Sequence, residues 1–427
     1  MAQITQTLAK EILDSRGIPT IETTLTIDNE RKVTASVPAG TSTGTHEAVE
    51  LRDNDQNRFY GKGVLKAVAN VNAVIGPAIL GKDPTRQTDV DQILVNLDGS
   101  LNKSRLGANA ILSVSTALCK AGALAYNLPV YKYLFAKYRL AKDPPTFPTP
   151  TFNVINGGKH GAGNLDFQEF HIIPSTRMSY SQALQTGVEV YHAIDQVLTK
   201  HGAIHSVGIE GGFAPNLYNN SDALELILEA IRTTKYKYGE DVFLGLDVAA
   251  SNFYKGGKYQ IKDRKEPFST KEFIDYYKGL NDQYHLYTLE DPLFEDDWGS
   301  WTTLTKEIGT STVVIGDDLL TTNKERTLKG IAEKCCTGIL AKPNQIGTIS
   351  QAIEVITIAK NAGWQVVVSH RSGETNDDFI ADFAVGVGAH YTKFGAPARG
   401  ERIAKYNRLL DIESELTAKP QAPQTNA

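Results

Sequence analysis

Six polar residues, Asp247, Glu290, Asp317, Lys342, His370 and Lys393, each close a short apolar run, and 43, 27, 25, 28 and 23 residues separate successive members. The runs cover 242–246, 286–289, 313–316, 338–341, 366–369 and, less cleanly, 389–392, and they are rich in residues that suit strands buried on both faces. A step of roughly 25 residues holds one strand, one crossover helix and two loops. A strand buried on both faces has no tolerance for a charge in mid-run, so each charge marks the place where the strand leaves the core. In a (β/α)8 barrel that end carries the active site. The ladder therefore predicts an α/β barrel in which three acids, two lysines and a histidine face one cleft.

At 427 residues the chain exceeds the usual single domain, which predicts two domains, one of them a barrel of about 250 residues. The net charge of −5 gives no electrostatic basis for binding nucleic acid or an anionic membrane, both of which favour clustered Lys and Arg. Cys119, Cys335 and Cys336 are odd in number and lack metal-ligand spacing, so they read as reduced, buried thiols of a cytoplasmic protein. Residues 1–15 contain no apolar stretch of signal-peptide length. The most apolar segment, 108–126, is interrupted by Lys120 and by Ser113, Ser115 and Thr116. It reads as a buried helix, and no membrane span is expected.

Alternation at Ile21, Thr23, Leu25 and Ile27, a turn near Asp28 and Asn29, and an extended run over 33–37 predict an antiparallel meander. From about 61 to 138 the pattern turns helical, so 1–138 is assigned to an N-terminal α+β domain. Four prolines in 141–150 mark a linker, assigned to 139–150. The barrel is assigned to 151–415, and 416–427 lacks apolar pattern and is expected to be a disordered tail. Ser269 with Glu272, Thr348 with Gln351, and Thr375 with Asp378 have the spacing of helix caps ahead of crossover helices. Leu224, Ile227, Leu228 and Ile231 form one apolar stripe to lie on the barrel.

Asp247, Glu290 and Asp317 supply hard anionic oxygens with no soft partner nearby, the ligand set that Mg²⁺ accepts. The adjacent acids Asp291, Asp318, Glu295, Asp296 and Asp297 are expected to be solvated or to support the ligands. A lysine at a strand end acts as a base only if its pKa falls from about 10.4 towards neutrality, and Lys342 and Lys393 are expected to depress each other. His370, Arg371 and Ser372, followed by Gly373, offer donors for a phosphate or carboxylate, which implies a small anionic substrate. Glu210 stands among Gly208, Gly211 and Gly212 and is the candidate general acid; Glu169 lies in FQEF. His160, in NGGKHGAG, reads as part of a mobile loop. The segment PAGTSTGTHE at 38–47 lacks the ending of a nucleotide P-loop and reads as a lid hinged at Gly40 and Gly44.

The ordered motifs STGTHEAVELRD (42–53), NVINGGKH (153–160), QEF (168–170), GIEGGFAPN (208–216), LEDP (289–292), GDDL (316–319), NQIGT (344–348), SHRSGET (369–375) and GAPARGER (395–402) make the chain resemble the enolase family over essentially its whole length. The resemblance implies an N-terminal α+β domain on a modified (β/α)8 TIM barrel that opens ββαα before its βα units. It implies dehydration of 2-phospho-D-glycerate to phosphoenolpyruvate in glycolysis and gluconeogenesis. Asp247, Glu290 and Asp317 would hold Mg²⁺, Lys342 would remove the C2 proton, and Glu210 would protonate the departing C3 hydroxyl, a Lys base with Mg²⁺ being a general pattern of the superfamily. Glu290 and Asp317 would also meet the substrate, with Gln168 and Glu169 near the leaving hydroxyl, His160 on a loop that closes over substrate, Arg371 and Ser372 at the phosphate with His370 beside them, and Lys393 on the carboxylate.

The family commonly has serine where Ala39 stands, and the missing hydroxyl is expected to weaken a second, substrate-borne Mg²⁺ site. Ile209 replaces a common acid, which is expected to alter the apolarity around Glu210 and hence its pKa. The competing readings are a catalytically weakened or non-catalytic homologue with a binding role, and another acid dehydratase of the same superfamily. Family habit also implies a homodimer or larger homo-oligomer in the cytoplasm, with a cell-surface or secreted pool by analogy.

Overall fold

The computed structural model describes residues 2–41, 44–140, 146–161 and 165–418. Three strands, β1 (Ile4–Leu13), β2 (Pro19–Ile27) and β3 (Arg31–Ser36), form the expected meander, in the order β1-β2-β3 with both pairs antiparallel. Asp28 and Asn29 turn the chain between β2 and β3 with φ of 54° and 64°, a left-handed backbone that short polar residues tolerate better than most. The buried face of β2, including Ile21, Leu25 and Ile27, packs on the helix Ala108–Ala125. That helix is long and apolar enough by length and composition to cross a membrane, but 83% of it is buried inside the protein. Thr23 and Ser113 satisfy each other across this contact at 2.7 Å, which removes the cost of burying two hydroxyls.

The second domain is a closed barrel. Its strands are β4 (Thr149–Asn156), β5 (Glu169–Pro174), β6 (Val242–Asp247), β9 (Thr288–Glu290), β10 (Val313–Gly316), β11 (Gly338–Ala341), β12 (Gln365–Ser369) and β13 (Tyr391–Lys393). A two-stranded hairpin, β7 (Tyr254–Lys255) and β8 (Lys258–Tyr259), lies outside it. β5 runs antiparallel to both β4 and β6, while every other neighbouring pair is parallel. Two helices, Tyr180–Lys200 and Asn220–Arg232, separate β5 from β6, giving the ββαα opening. The stripe of Leu224, Ile227, Leu228 and Ile231 is buried as expected.

Several boundaries move. The last N-terminal helix ends at Tyr138, but Thr149 and Pro150, assigned to the linker, already belong to β4. Residues 141–145 of that linker lie outside the described residues. The final helix, Gly400–Thr417, includes the first two residues of the expected tail, because Leu416 still packs against the core; residues 419–427 lie outside the described residues. Ser269 and Glu272 close a full capping box, and Thr348 accepts from the Gln351 amide. Asp378 makes no side-chain cap bond, and Thr375 instead accepts from the Asp377 amide.

Inside the barrel, Ile173, Ile315, Leu340, Val367 and Tyr391 form an apolar plug separate from the main core. Successive side chains alternate across a strand, so the residue two positions further along faces the same interior. Two steps beyond Ile315, Leu340 and Tyr391 stand Asp317, Lys342 and Lys393. The fold thus places charge directly above an apolar floor. Gly245 supplies the close packing this requires: a Cβ there would lie 2.1 Å from Thr288 Oγ1 and 3.0 Å from Ile173 Cδ1. Gly245→Ala should lower stability by about 1–3 kcal/mol through overpacking, read as a lower urea midpoint; an unchanged midpoint would refute this packing account.

Candidate active site

All six members of the ladder reach the same rim. Asp247, Glu290 and Lys393 are the last residues of β6, β9 and β13, and Asp317, Lys342 and His370 directly follow β10, β11 and β12. Register keeps the ends level, with Asp247 opposite Glu290 and Ser369 opposite Lys393. Glu169 joins them from the opposite direction: it begins β5, and because that strand is antiparallel it pairs with Asp247. One cleft is lined by His160, Gln168, Glu169, Glu210, Asp247, Asp317, Lys342, His370, Arg371, Ser372 and Lys393, together with Ala249, Asp291, Asp318 and Ser369.

The lysines are not poised as the sequence suggested. Lys393 Nζ lies 2.8 Å from Asp247 Oδ2, 2.9 Å from both Glu290 oxygens and 3.4 Å from Glu169 Oε2. Burial opposes its charge, but Asp247, Glu169 and Glu290 outweigh burial and hold the ammonium well above its ordinary pKa. Lys342 Nζ is 2.5 Å from Asp317 Oδ2. Burial again pulls its pKa down, helped by Arg371 and Lys393, yet Asp317 raises it on balance. The expected mutual depression of the two lysines is present and is overruled by the carboxylates each one touches.

The donor chemistry fits a hard divalent cation. Six carboxylates line the cleft against three permanent cations, Lys342, Arg371 and Lys393. Glu290 is pushed well above the carboxylate range by burial and by Asp247, against the pull of Lys393. Burial and then Asp317 push Asp318 up to about 8. Such excess negative charge in a buried site favours a bound cation. The expected trio Asp247, Glu290 and Asp317 does not close on a single point here, because Lys393 occupies the first two and Lys342 the third. Among the described residues, ligand atoms within 4.8 Å of one another are instead offered by Asp291, Asp317 and Asp318, and by His160, Glu169 and Glu210. Asp291 already accepts the Asp317 amide at 2.9 Å and the Asp318 amide at 2.7 Å. Its work is to hold the loop after β10, the supporting one of the two roles expected for it, and it is buried, not solvated.

The candidate acid is also in a different state. His160 is buried, not part of an exposed loop, and its Nδ1 lies 3.2 Å from Glu169 Oε1 and 3.4 Å from Glu210 Oε1. Residues 162–164 of its motif lie outside the described residues. Burial pushes the Glu210 carboxyl up, as does Glu169, but His160 and His370 bring it down to about 2. His160 is held above its usual value by Glu210 and Glu169 despite burial, whereas His370 is driven down by burial and by Arg402. Asn153 Nδ2 also donates to Glu210 Oε2 at 3.1 Å, and Gln168 Nε2 donates to Asp247 Oδ2 at 3.2 Å. Gln168 Oε1 and His370 Nε2 are buried without a hydrogen-bond partner, leaving polar atoms for a ligand to satisfy.

The Gly-rich segment of the first domain closes over this rim. Ala39 and Gly373 exchange both backbone hydrogen bonds, at 2.7 and 2.9 Å. Gly40 lies against Arg371, where a Cβ would meet Nη2 at 1.9 Å. Thr41 donates its amide to Ser372 Oγ at 3.1 Å, and Thr45 Oγ1 donates to Glu295 Oε1 at 2.6 Å. Arg371 Nη1 donates to Glu47 Oε2 at 2.8 Å and to Asn344 Oδ1 at 3.2 Å. Ser42 and Thr43 lie outside the described residues. Ala39 is fully buried and is not among the residues that line the cleft.

Sequence reasoning passed over four residues that hold the others, and named a fifth, Asp291, without saying what it holds. His171 Nε2 contacts Glu169 Oε2 at 2.9 Å; Glu47 braces Arg371; Asp291 ties the β10 loop; Asn153 orients Glu210. Gln345 Nε2 donates to Asp317 Oδ1 at 2.8 Å while its own Oε1 accepts from Thr322 at 2.7 Å. Glu47, Asn153, Asp291 and Gln345 lie inside the quoted motifs, which was their available signal.

Two comparisons bear on this arrangement. Residues 4–134 match the family model described as the enolase N-terminal domain, and residues 144–425 match that of the enolase C-terminal TIM barrel domain.

The charge excess has a thermal signature. Asp318 has a folded value near 8 against an ordinary 3.8, so the folded state binds its proton more tightly. That contribution is stabilising below about 3.8 and is lost as pH rises through about 8. In chelator, the melting temperature should fall as pH rises from 6 towards 8.5 on the order expected from the carboxylate shifts. Added Mg²⁺ should raise it more at the upper pH, since a ligand of the folded state stabilises in proportion to its affinity. Equal Mg²⁺ shifts at both pH values would argue against a cation site among these acids.

Proposed function

The chain belongs to the enolase family, a group of lyases, and from that premise we propose that it interconverts 2-phospho-D-glycerate and phosphoenolpyruvate by Mg²⁺-dependent loss of water. The observation that carries this reading is the assembly of Lys342, the Glu210–His160 pair, Lys393 and Arg371 around one buried cleft. An anion with an acidic carbon and a hydroxyl on the next carbon has a use for each of them.

A proton α to a carboxylate is very weakly acidic, and its removal places further charge on the carboxylate oxygens. Mg²⁺ held by Asp247, Glu290 and Asp317 would supply electrophilic stabilisation of those oxygens and offset the negative charge around Lys342. Lys393, kept cationic by its carboxylate neighbours, adds a donor that strengthens as that charge grows. Lys342, as the free amine, takes the C2 proton. The C3–O bond then breaks and the departing hydroxide takes a proton from the Glu210–His160 pair, leaving as water. Glu210 delivers that proton and His160, held above its ordinary pKa by Glu210 and Glu169 despite burial, shares it, so the pair titrates together rather than as two separate groups. Arg371, Ser372 and His370 would meet the phosphate, with Arg371 held in plane by Glu47 and Asn344. A homodimeric or larger assembly and a cytoplasmic setting accompany this proposal by family analogy.

Absorbance of phosphoenolpyruvate should rise when the protein meets 2-phosphoglycerate with Mg²⁺ and stay flat in chelator; no Mg²⁺-dependent product would overturn the assignment. Lys342→Met should lower kcat by about 10²- to 10⁴-fold, the usual worth of a general base, while substrate still binds. Ala39→Ser should lower the Mg²⁺ concentration at half-maximal rate by about 10- to 100-fold, the usual scale of a lost supporting ligand, and an unchanged value would remove Ala39 as a determinant of metal affinity.

A further inference from the structure

Arg402 is a fully buried cation in the first turn of the helix Gly400–Thr417, an end where the helix dipole disfavours positive charge. Its hydrogen bonds show what holds it there. Nη1 donates to the Arg371 carbonyl at 2.6 Å and to His370 Nδ1 at 2.7 Å, and Nη2 donates to the Ser372 carbonyl at 2.6 Å. Two of these bonds fix backbone; the third reaches a titratable ring.

We propose that Arg402 is a positioning residue that fixes His370 as the neutral tautomer with its hydrogen on Nε2, so that a single N–H faces Glu210 and the cleft. A guanidinium has five donors and no acceptor, so Nδ1 must present its lone pair at 2.7 Å. The opposite tautomer, or the doubly protonated ring, would set N–H against N–H at that distance. Nε2 lies 3.4 Å from Glu210 Oε2 without closing a hydrogen bond, so its hydrogen remains available to a ligand. Burial and Arg402 both disfavour the charged ring. Which ring nitrogen carries the proton is set by the partner of the other one. The catalytic consequence rests on the dehydration reading. A cationic His370 would set a positive ring 3.4 Å from Glu210 on the side opposite its contact with His160 and hold the carboxylate ionised, whereas a neutral ring leaves the Glu210–His160 pair to pass on a proton.

Ring ¹⁵N spectra of histidine-labelled protein, with His370 identified by comparison with His370→Gln, should show one bare nitrogen, Nδ1, and one protonated nitrogen, Nε2. A protonated Nδ1 would overturn the proposal, and this measurement needs neither a variant of Arg402 nor catalysis. Arg402→Lys should lower kcat by about 10- to 100-fold, as loss of an outer partner does, with a smaller effect on KM. In the His370→Gln background the same substitution should cost less than about threefold, since effects of residues acting through one another are not additive. Equal losses in both backgrounds would mean a purely structural role. A wild-type protein with the expected ring spectrum and no Mg²⁺-dependent product would defeat the dehydration reading and leave the tautomer assignment standing.

Discussion

The Lys393 ammonium, shared among Asp247, Glu290 and Glu169, is the interaction on which the rest of the cleft depends. It ties the ends of β5, β6, β9 and β13 together above the apolar plug of Ile173, Ile315, Leu340, Val367 and Tyr391. Such a cluster is costly to desolvate, and deleting one partner of a buried pair commonly costs about 3–5 kcal/mol because the other charge is left alone. Its presence cannot be justified by stability, since apolar side chains of similar volume would serve the barrel as well. It does align several carboxylates in one layer, with their oxygens facing a space that water and a ligand share.

Charge states in this layer follow from contacts rather than from residue type. Lys342 and Lys393 are neighbours in the cleft, yet both stay charged because each touches an acid at closer range. Asp317 is kept ionised by Lys342, with burial opposing, while for Asp318, one residue on, burial and Asp317 outweigh the pull of Lys342 and push it up to about 8. His160 and His370 flank one glutamate and diverge in the same way, the first raised by Glu210 and Glu169, the second lowered by burial and Arg402.

The spacing of the six strand ends was legible because a parallel barrel repeats one unit, and each unit stops where charge begins. The two opening strands broke that pattern. Glu169 begins its strand instead of ending it, so the rule that finds Asp247 and Glu290 passes over it, and the antiparallel turn at β4 and β5 was available only through resemblance. His160 read as a loop residue because four glycines surround it, while its burial comes from Glu169 and Glu210, residues distant in sequence. Arg402 sits in the first turn of a terminal helix, where an isolated arginine reads as solvated. Ala39 was the opposite case: a departure legible in the sequence, whose backbone the structure bridges to Gly373, next to Arg371 and Ser372.

The site is also incomplete without the first domain, for a reason that its hydrogen bonds make concrete. Glu47 accepts from both arms of Arg371, at 2.8 and 3.3 Å. Gln345 reaches Glu47 Oε1 at 3.4 Å and Asp317 Oδ1 at 2.8 Å through the same amide nitrogen, and Asp317 in turn holds Lys342. Lid, phosphate-binding arginine, metal-type acid and candidate base are therefore links of one contiguous network. Moving Glu47 away would loosen Arg371 and deprive Gln345 of one of its two carboxylate partners, with Asp317 as the other. A lid that only excluded water would need no carboxylate aimed at the rim, and its Thr45 and Ser372 contacts would suffice to shut it. Glu47 makes this contact electrostatic as well as steric: the charge it brings across the domain boundary orients the Arg371 guanidinium at the rim of the cleft.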